Sequence, residues 1–148
     1  MTIGPKCKSG ILVGMQMVCI LFLLVKIPAL QSDLWALIVS FIGLALGFWA
    51  VLTMQLDNLS VTPDVKKDAR LVIAGPYKVI RHPMYSAVLL TFLPFVLDRP
   101  SLFLCIVFMA LLTTLVIKLN YEETLLKTHF KDYEEYSKHS WRLIPFIY

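Results

Sequence analysis

Residues 34–56 read LWALIVSFIGLALGFWAVLTMQL, an apolar run without one charged side chain. Crossing bilayer hydrocarbon as an α-helix takes about 20 such residues. The rest of the chain agrees with a lipid environment. Of 148 residues 58% are hydrophobic and 16% charged, and the mean hydropathy is +0.74, outside the range of ordinary soluble domains. The fold class expected is an all-α membrane bundle of about four transmembrane helices, closed by a C-terminal amphipathic helix.

Three further apolar runs flank the first. One spans Ile11 to Leu30 and meets Lys26 and Pro28 near its end, where a long side chain can snorkel to the headgroups. A secretory signal peptide competes for this stretch, because Lys6 and Lys8 precede it. Lys26 and Pro28 do not resemble a small-residue cleavage site, so a retained helix is expected. The others are Tyr85 to Leu97, short and carrying Pro94, and Ser101 to Ile117, which stops at Lys118. Asp98, Arg99 and Pro100 make so short a turn between these two that the helices must be antiparallel neighbours.

Charge sets the expected orientation. With four spans and both termini cytoplasmic, all 14 basic residues except Lys26 and Arg99 lie on the inner side. A basic face against anionic lipid accounts for the net charge of +4 without nucleic acid as a partner. Cys7, Cys19 and Cys105 form neither a disulfide framework nor a zinc pattern, and no metal is expected. Gly43 and Gly47, with Ala45 and Ala50 nearby, suit close helix packing within the chain rather than dimerisation.

The longest polar interval runs from Asp57 to about Pro83, with Asp57 and Asn58 placed to cap the second helix. After the hairpin the chain turns amphipathic: Leu125, Leu126, His129, Phe130, Tyr133 and Tyr136 recur at three- and four-residue steps. His129 is expected to pack on the apolar face and His139 to be exposed. Tyr133 and Tyr136 suit either a cover over a site or an interfacial position. Trp141, Pro145, Phe146 and Tyr148 read as an interfacial anchor, and Arg142 as a group that reaches either back to a site or out to lipid phosphate.

One polar stretch stands directly before a hydrophobic span: GPYKVIRHPMY, residues 75–85. Gly75 and Pro76 signal a turn. Pro83 starts a helix and pushes His82 out of helical geometry. Irregular backbone at the membrane surface is tolerable where it is buried in protein or lines a wet cavity. A purely structural alternative has Arg81 on lipid phosphate, His82 capping the helix, and Tyr77 and Tyr85 in an aromatic belt. A second polar group, Lys118, Asn120, Glu122 and Glu123, lies at the end of the fourth span, which the hairpin brings beside the start of the third. Adjacent helical residues differ in direction by about 100°. One carboxylate is therefore expected to face solvent and the other to face His82 and Tyr85.

These segments resemble the isoprenylcysteine carboxyl methyltransferase family and, more broadly, the membrane methyltransferases that include phospholipid N-methyltransferases. The matching elements are GPYKVIRHPMY, KLNYEETLL, FKDYEEY and RLIPF, which lie within Leu71 to Phe146. The resemblance implies S-adenosylmethionine as cofactor. It implies a cofactor site formed by Arg70, Leu71, Val72 and Tyr77, by His82, Pro83, Met84 and Tyr85, and by Glu122 and Glu123. Lys118 and Arg81 are the implied catalytic groups. Lys118 stands where the prenylcysteine enzymes place an arginine near the methyl acceptor; it keeps the charge and loses the bidentate grip on a carboxylate.

The resulting expectation is one domain over 1–148: two N-terminal membrane helices over 1–56, then a cofactor-binding loop, helical hairpin and amphipathic helix over 57–148. The function expected is methylation of a hydrophobic or lipid-linked acceptor, with a carboxylate ahead of a phospholipid or small amine. A non-catalytic lipid-binding protein is the alternative of a different class. Membrane lipids are the expected partners and a bacterial inner membrane the expected location.

Overall fold

The computed structural model describes residues 5–27, 31–54 and 70–148, with side chains from residue 8 onward in the first of these segments. Every regular element among them is helical. They are α1 (Pro5–Lys26), α2 (Leu34–Met54), a 3-10 turn at Gly75–Lys78, α3 (Pro83–Asp98), α4 (Leu102–His129) and α5 (Tyr133–Lys138). Residues around α1, α2 and most of α4 are apolar enough, over sufficient length, to cross a membrane; α3, with 16 residues, is a shorter apolar helix. Pro28, Asp57 and Asn58 lie outside the described residues.

Two helix pairs make the bundle, α1 with α4 and α2 with α3, and a smaller α3–α4 contact joins them. The α2–α3 pair is close because of Gly43. A Cβ there would stand 2.7 Å from the Thr91 backbone nitrogen, and one on Gly47 would stand 3.2 Å from Ala87 Cβ. Ser40 Oγ donates to the Thr91 carbonyl across the same contact at 2.7 Å, so the glycine spacing serves packing within the chain. Between the pairs lies one apolar cluster, in which Cys19 and Leu23 of α1 join Phe92 and Val96 of α3 and Phe108, Leu111 and Leu115 of α4.

Helix ends fix the direction of each element. Pro83 occupies the first helical position of α3, and His82 before it is non-helical at φ −121°, ψ 60°. Ser101 caps α4 by accepting from the Leu104 N–H at 3.2 Å. At that end of the bundle Arg99 donates to the Gln31 carbonyl, and the Asp33 N–H donates to Asp98 Oδ2. The α1–α2 connection and the α3–α4 turn therefore share one end, and the polar residues of the two motifs share the other.

α4 does not stop at Lys118. It continues to His129, 28 residues or about 42 Å at ~1.5 Å per residue. Lys118 is buried among partners from α1 and α3, so its charge marks an interior contact and no helix end. The amphipathic segment is consequently divided. Its first half prolongs α4, Phe130 takes an extended conformation (φ −111°, ψ 117°), and only Tyr133–Lys138 forms a separate helix. Large apolar side chains cover the outside of the bundle, with Leu24 63%, Phe41 72% and Phe48 68% exposed, as suits helices apolar enough to cross a membrane.

Candidate functional site

The site forms at the end of the bundle where α2 stops and α3 starts. Gly75 has φ +54°, and a Cβ there would stand 2.7 Å from Thr53 Oγ1, so glycine lets the turn lie against the end of α2. Pro76 and Tyr77 are buried by that approach. The chain then meets the C-terminal tail. Ile80 and Trp141 form a parallel bridge: Trp141 N–H donates to Val79 O (2.8 Å), Arg81 N–H to Trp141 O (2.7 Å) and His82 N–H to Arg142 O (3.1 Å). Ser86 Oγ adds a 2.6 Å bond to Leu143 O. Arg81 and His82 are thus held by backbone on both sides before their side chains act.

Two carboxylates receive them. Glu123 Oε1 accepts from Arg81 Nε at 2.9 Å, and its Oε2 lies 3.0 Å from Arg142 Nη2. Arg81 Nη1 also donates to the carbonyls of Ser137, at 2.8 Å, and Ser140. Glu122 Oε1 accepts from Tyr85 Oη at 2.6 Å, while its Oε2 is 3.6 Å from His82 Nδ1. His82 Nε2 is 3.7 Å from Glu123 Oε1, beyond hydrogen-bond length, and has no hydrogen-bond partner among the described residues. The imidazole stacks on the Tyr85 ring, centroids 5.4 Å apart and planes within 8°. His82 makes no side-chain cap to α3, so its ring is left to the two acids.

Neither carboxylate is fully exposed, contrary to the expectation for one of them: the Glu122 side chain is half-buried at 19% exposure and that of Glu123 is buried at 5%. The step of about 100° between them is spanned by the His82 ring, which presents one nitrogen to each. Two guanidiniums balance the charge of Glu123. Arg142, open between two roles in the sequence, reaches the site.

Lys118 is the third polar contact. It is buried, its Nζ donates to Gln16 Oε1 at 3.1 Å, and it stands 5.2 Å from the Tyr85 ring centroid. Gln16 is the residue that the sequence reading missed. A glutamine inside an otherwise apolar span is itself the signal, since polar groups at membrane depth are costly and tend to face the bundle interior.

Short α5 closes the other side. Tyr133 is 1% exposed, and the half-buried Tyr136 donates from its Oη to the Tyr77 carbonyl at 2.6 Å, so both tyrosines pack over the cluster. Burial pushes the phenol of Tyr136 up to about 12 and raises those of Tyr77 and Tyr133 as well, which keeps all three protonated and able to donate. The hydroxyls of Tyr77 and Tyr133 are buried without a hydrogen-bond partner among the described residues, like His82 Nε2. Pro83 is fully buried and Met84 packs on the core. Arg70 is exposed, and Leu71 and Val72 are half-buried in the irregular stretch before the turn. Beside the cluster, and sharing Arg81 and Arg142 with it, opens a cleft of about 530 Å³ lined also by Ser137, Ser140 and Trp141.

Two sequence expectations fare differently further out. His129 is exposed, its ring edge-on to Phe130 at 4.7 Å, because α4 ends there and leaves no apolar face for it. His139 is exposed as expected. Ile144, Phe146 and Ile147 are 50%, 84% and 76% exposed, an apolar rim next to the cleft. Among the described residues no group of three or more His, Cys, Asp or Glu side chains is arranged to hold a metal ion.

Comparison with protein families finds a match to the family model described as phospholipid methyltransferase over residues 33–133. The match takes in α2, α3, α4 and the first residue of α5; it leaves α1 and the C-terminal tail outside. The search of curated proteins finds no match.

Proposed function

The chain belongs to the phospholipid methyltransferase family of membrane methyltransferases, and from that membership we propose that it moves a methyl group from S-adenosylmethionine to a hydrophobic, lipid-linked acceptor. The observation that carries the reading is the His82 imidazole set between Glu122 and Glu123 with its Nε2 unpartnered. Buried polar atoms are normally satisfied. Of the four that lack a partner among the described residues, those on Tyr77, His82 and Tyr133 lie in this cluster, as expected of a site shaped for a polar ligand. The residues fit the cofactor: neutral hydroxyls can donate to a nucleotide, and a carboxylate can take its hydroxyl or ammonium groups. Tyr77, His82, Tyr85 and Glu122 hold it in this reading, with Arg70, Leu71, Val72, Pro83 and Met84 as walls. Glu123 acts through them by fixing Arg81 and Arg142.

When bound, S-adenosylmethionine supplies an activated methyl group on a sulfonium. The protein's share is positioning, which for well-oriented reactants supplies on the order of 7–11 kcal/mol. A carboxylate acceptor would pair with the Lys118 ammonium and, already an anion when it takes the methyl group from the sulfonium, would need no general base. Opposite charges cancel in that step, so exclusion of water assists it. A second reading is favoured by the family match and by the acids themselves: a phospholipid amine attacks through nitrogen, and Glu122 or His82 receives the proton it must lose. Lys118 then meets the lipid phosphate. Methyl esters are base-labile and methylated amines are not, so alkali treatment of the labelled lipid product separates the two.

The polar site and the exposed apolar rim suit an acceptor that stays in the bilayer while the cofactor arrives from water. We place this end at the cytoplasmic face, where nearly all the basic residues then lie. Isothermal titration with S-adenosylhomocysteine tests the proposal. Wild type binds, while His82→Ala and Glu122→Ala lose at least tenfold in affinity; no binding by wild type, or equal binding by all three, sinks it.

A further inference from the structure

α1 lies outside the segment matched by the family model, yet it touches the most buried cation among the described residues. Gln16, itself 9% exposed, accepts from Lys118 Nζ at 3.1 Å, and Lys118 is 5% exposed. From there the contacts lead directly to the acids: Lys118 lies over the Tyr85 ring at 5.2 Å, and Tyr85 Oη donates to Glu122 at 2.6 Å. Seven residues before Gln16, and so two turns along the same face at ~3.6 residues per turn, Ser9 is fully buried and its Oγ has no hydrogen-bond partner among the described residues.

Holding two helices together does not require these groups. An apolar pair at 16 and 118 could fill the same space without withdrawing an ammonium from water, which is expensive at membrane depth. A polar strip with a cation at its centre and a spare hydroxyl two turns away is instead suited to an anionic oxygen. We infer that α1 supplies the acceptor half of the site: Gln16 is a positioning residue that aims the Lys118 ammonium at an oxyanion of the methyl acceptor, with Ser9 as a further donor on that face. The inference rests on the methyltransferase reading and extends it to a helix outside the matched family segment. The oxyanion has two chemical sources, a carboxylate that is itself methylated or a phosphate beside a methylated amine.

The full chain in lipid nanodiscs tests this with two probes, N-acetyl-S-farnesylcysteine for the carboxylate and dioleoylphosphatidylethanolamine for the phosphate. Gln16→Leu raises the KM for whichever probe is methylated about tenfold, leaves kcat within about threefold, and leaves S-adenosylhomocysteine affinity within twofold by titration. Gln16→Glu impairs acceptor use as strongly although its carboxylate pairs well with Lys118, because it neutralises the ammonium. Adding Gln16→Leu to Lys118→Met causes no further rise in KM. A purely structural contact predicts the reverse: Gln16→Glu active, and Gln16→Leu lowering thermal stability and cofactor affinity together. Either result overturns the inference. So does a wild type that binds S-adenosylhomocysteine but methylates neither probe, and that outcome leaves the cofactor reading intact.

Discussion

Glu122 and Glu123 are neighbours with separate duties. Glu123 is buried and holds a guanidinium on each oxygen, whereas Glu122 meets Tyr85 and the Nδ1 edge of the His82 ring. Removing one member of a buried ion pair typically costs about 3–5 kcal/mol. Arg142 is one-third exposed and can recover hydration, so Glu123→Ala is expected near the lower end, about 3 kcal/mol. Glu122→Gln gives up charge but keeps an acceptor for Tyr85, and costs about 1 kcal/mol in stability while losing cofactor affinity. Thermal unfolding in detergent, followed beside titration, separates them; equal destabilisation by the two changes would refute the division. Lys118 shows why a charge in sequence is ambiguous. At the edge of an apolar run it reads as a boundary, and only Gln16 and Tyr85 on either side reveal it as interior.

At the level of elements, glycine positions decide how close the helices come. Gly43 admits the Thr91 backbone to within 2.7 Å of where a Cβ would sit, Gly47 has 3.2 Å to Ala87, and Gly14 has nothing within 4 Å. Gly43→Val must separate α2 from α3 and costs at least about 1–3 kcal/mol. Gly47→Ala needs a shift of a few tenths of an ångström and costs less. Gly14→Ala meets no neighbour and gains about 0.5–1 kcal/mol from helix propensity. The order of unfolding midpoints, Gly14→Ala highest and Gly43→Val lowest, checks the packing; a Gly43→Val protein as stable as wild type would contradict it. The same pair carries α3 up to the site, so Gly43→Val is also expected to weaken cofactor binding from a distance.

For the molecule as a whole, the site depends on a tail that neither the membrane spans nor the family match includes. Residues 140–143 supply the backbone partners of Arg81, His82 and Ser86, the carbonyl that caps the Arg81 guanidinium, and the second arginine on Glu123. Deleting residues 139–148 is expected to abolish S-adenosylhomocysteine binding while the helices stay inserted, because the bundle core lies almost wholly in α1, α3 and α4. Titration of the purified truncated protein gives the answer, and wild-type affinity would show the tail to be dispensable. The same tail exposes the apolar side chains of Ile144, Phe146 and Ile147.

Hydropathy and turn residues alone determined that this chain is a helical membrane protein, that its last two apolar runs form a hairpin, and that Arg81, His82, Tyr85, Lys118 and Glu122 gather at one end. Those features are local or follow from short connections, so composition and spacing carry them. The burial of Glu123 against Arg81, the approach of Glu122 to Tyr85, the clamp by Arg142 and the contact from Gln16 were decided by tertiary structure. Each pairs residues far apart along the chain, 102 positions for Gln16 and Lys118, and the stability of a buried charge depends on partners that only the packed bundle brings within hydrogen-bond reach.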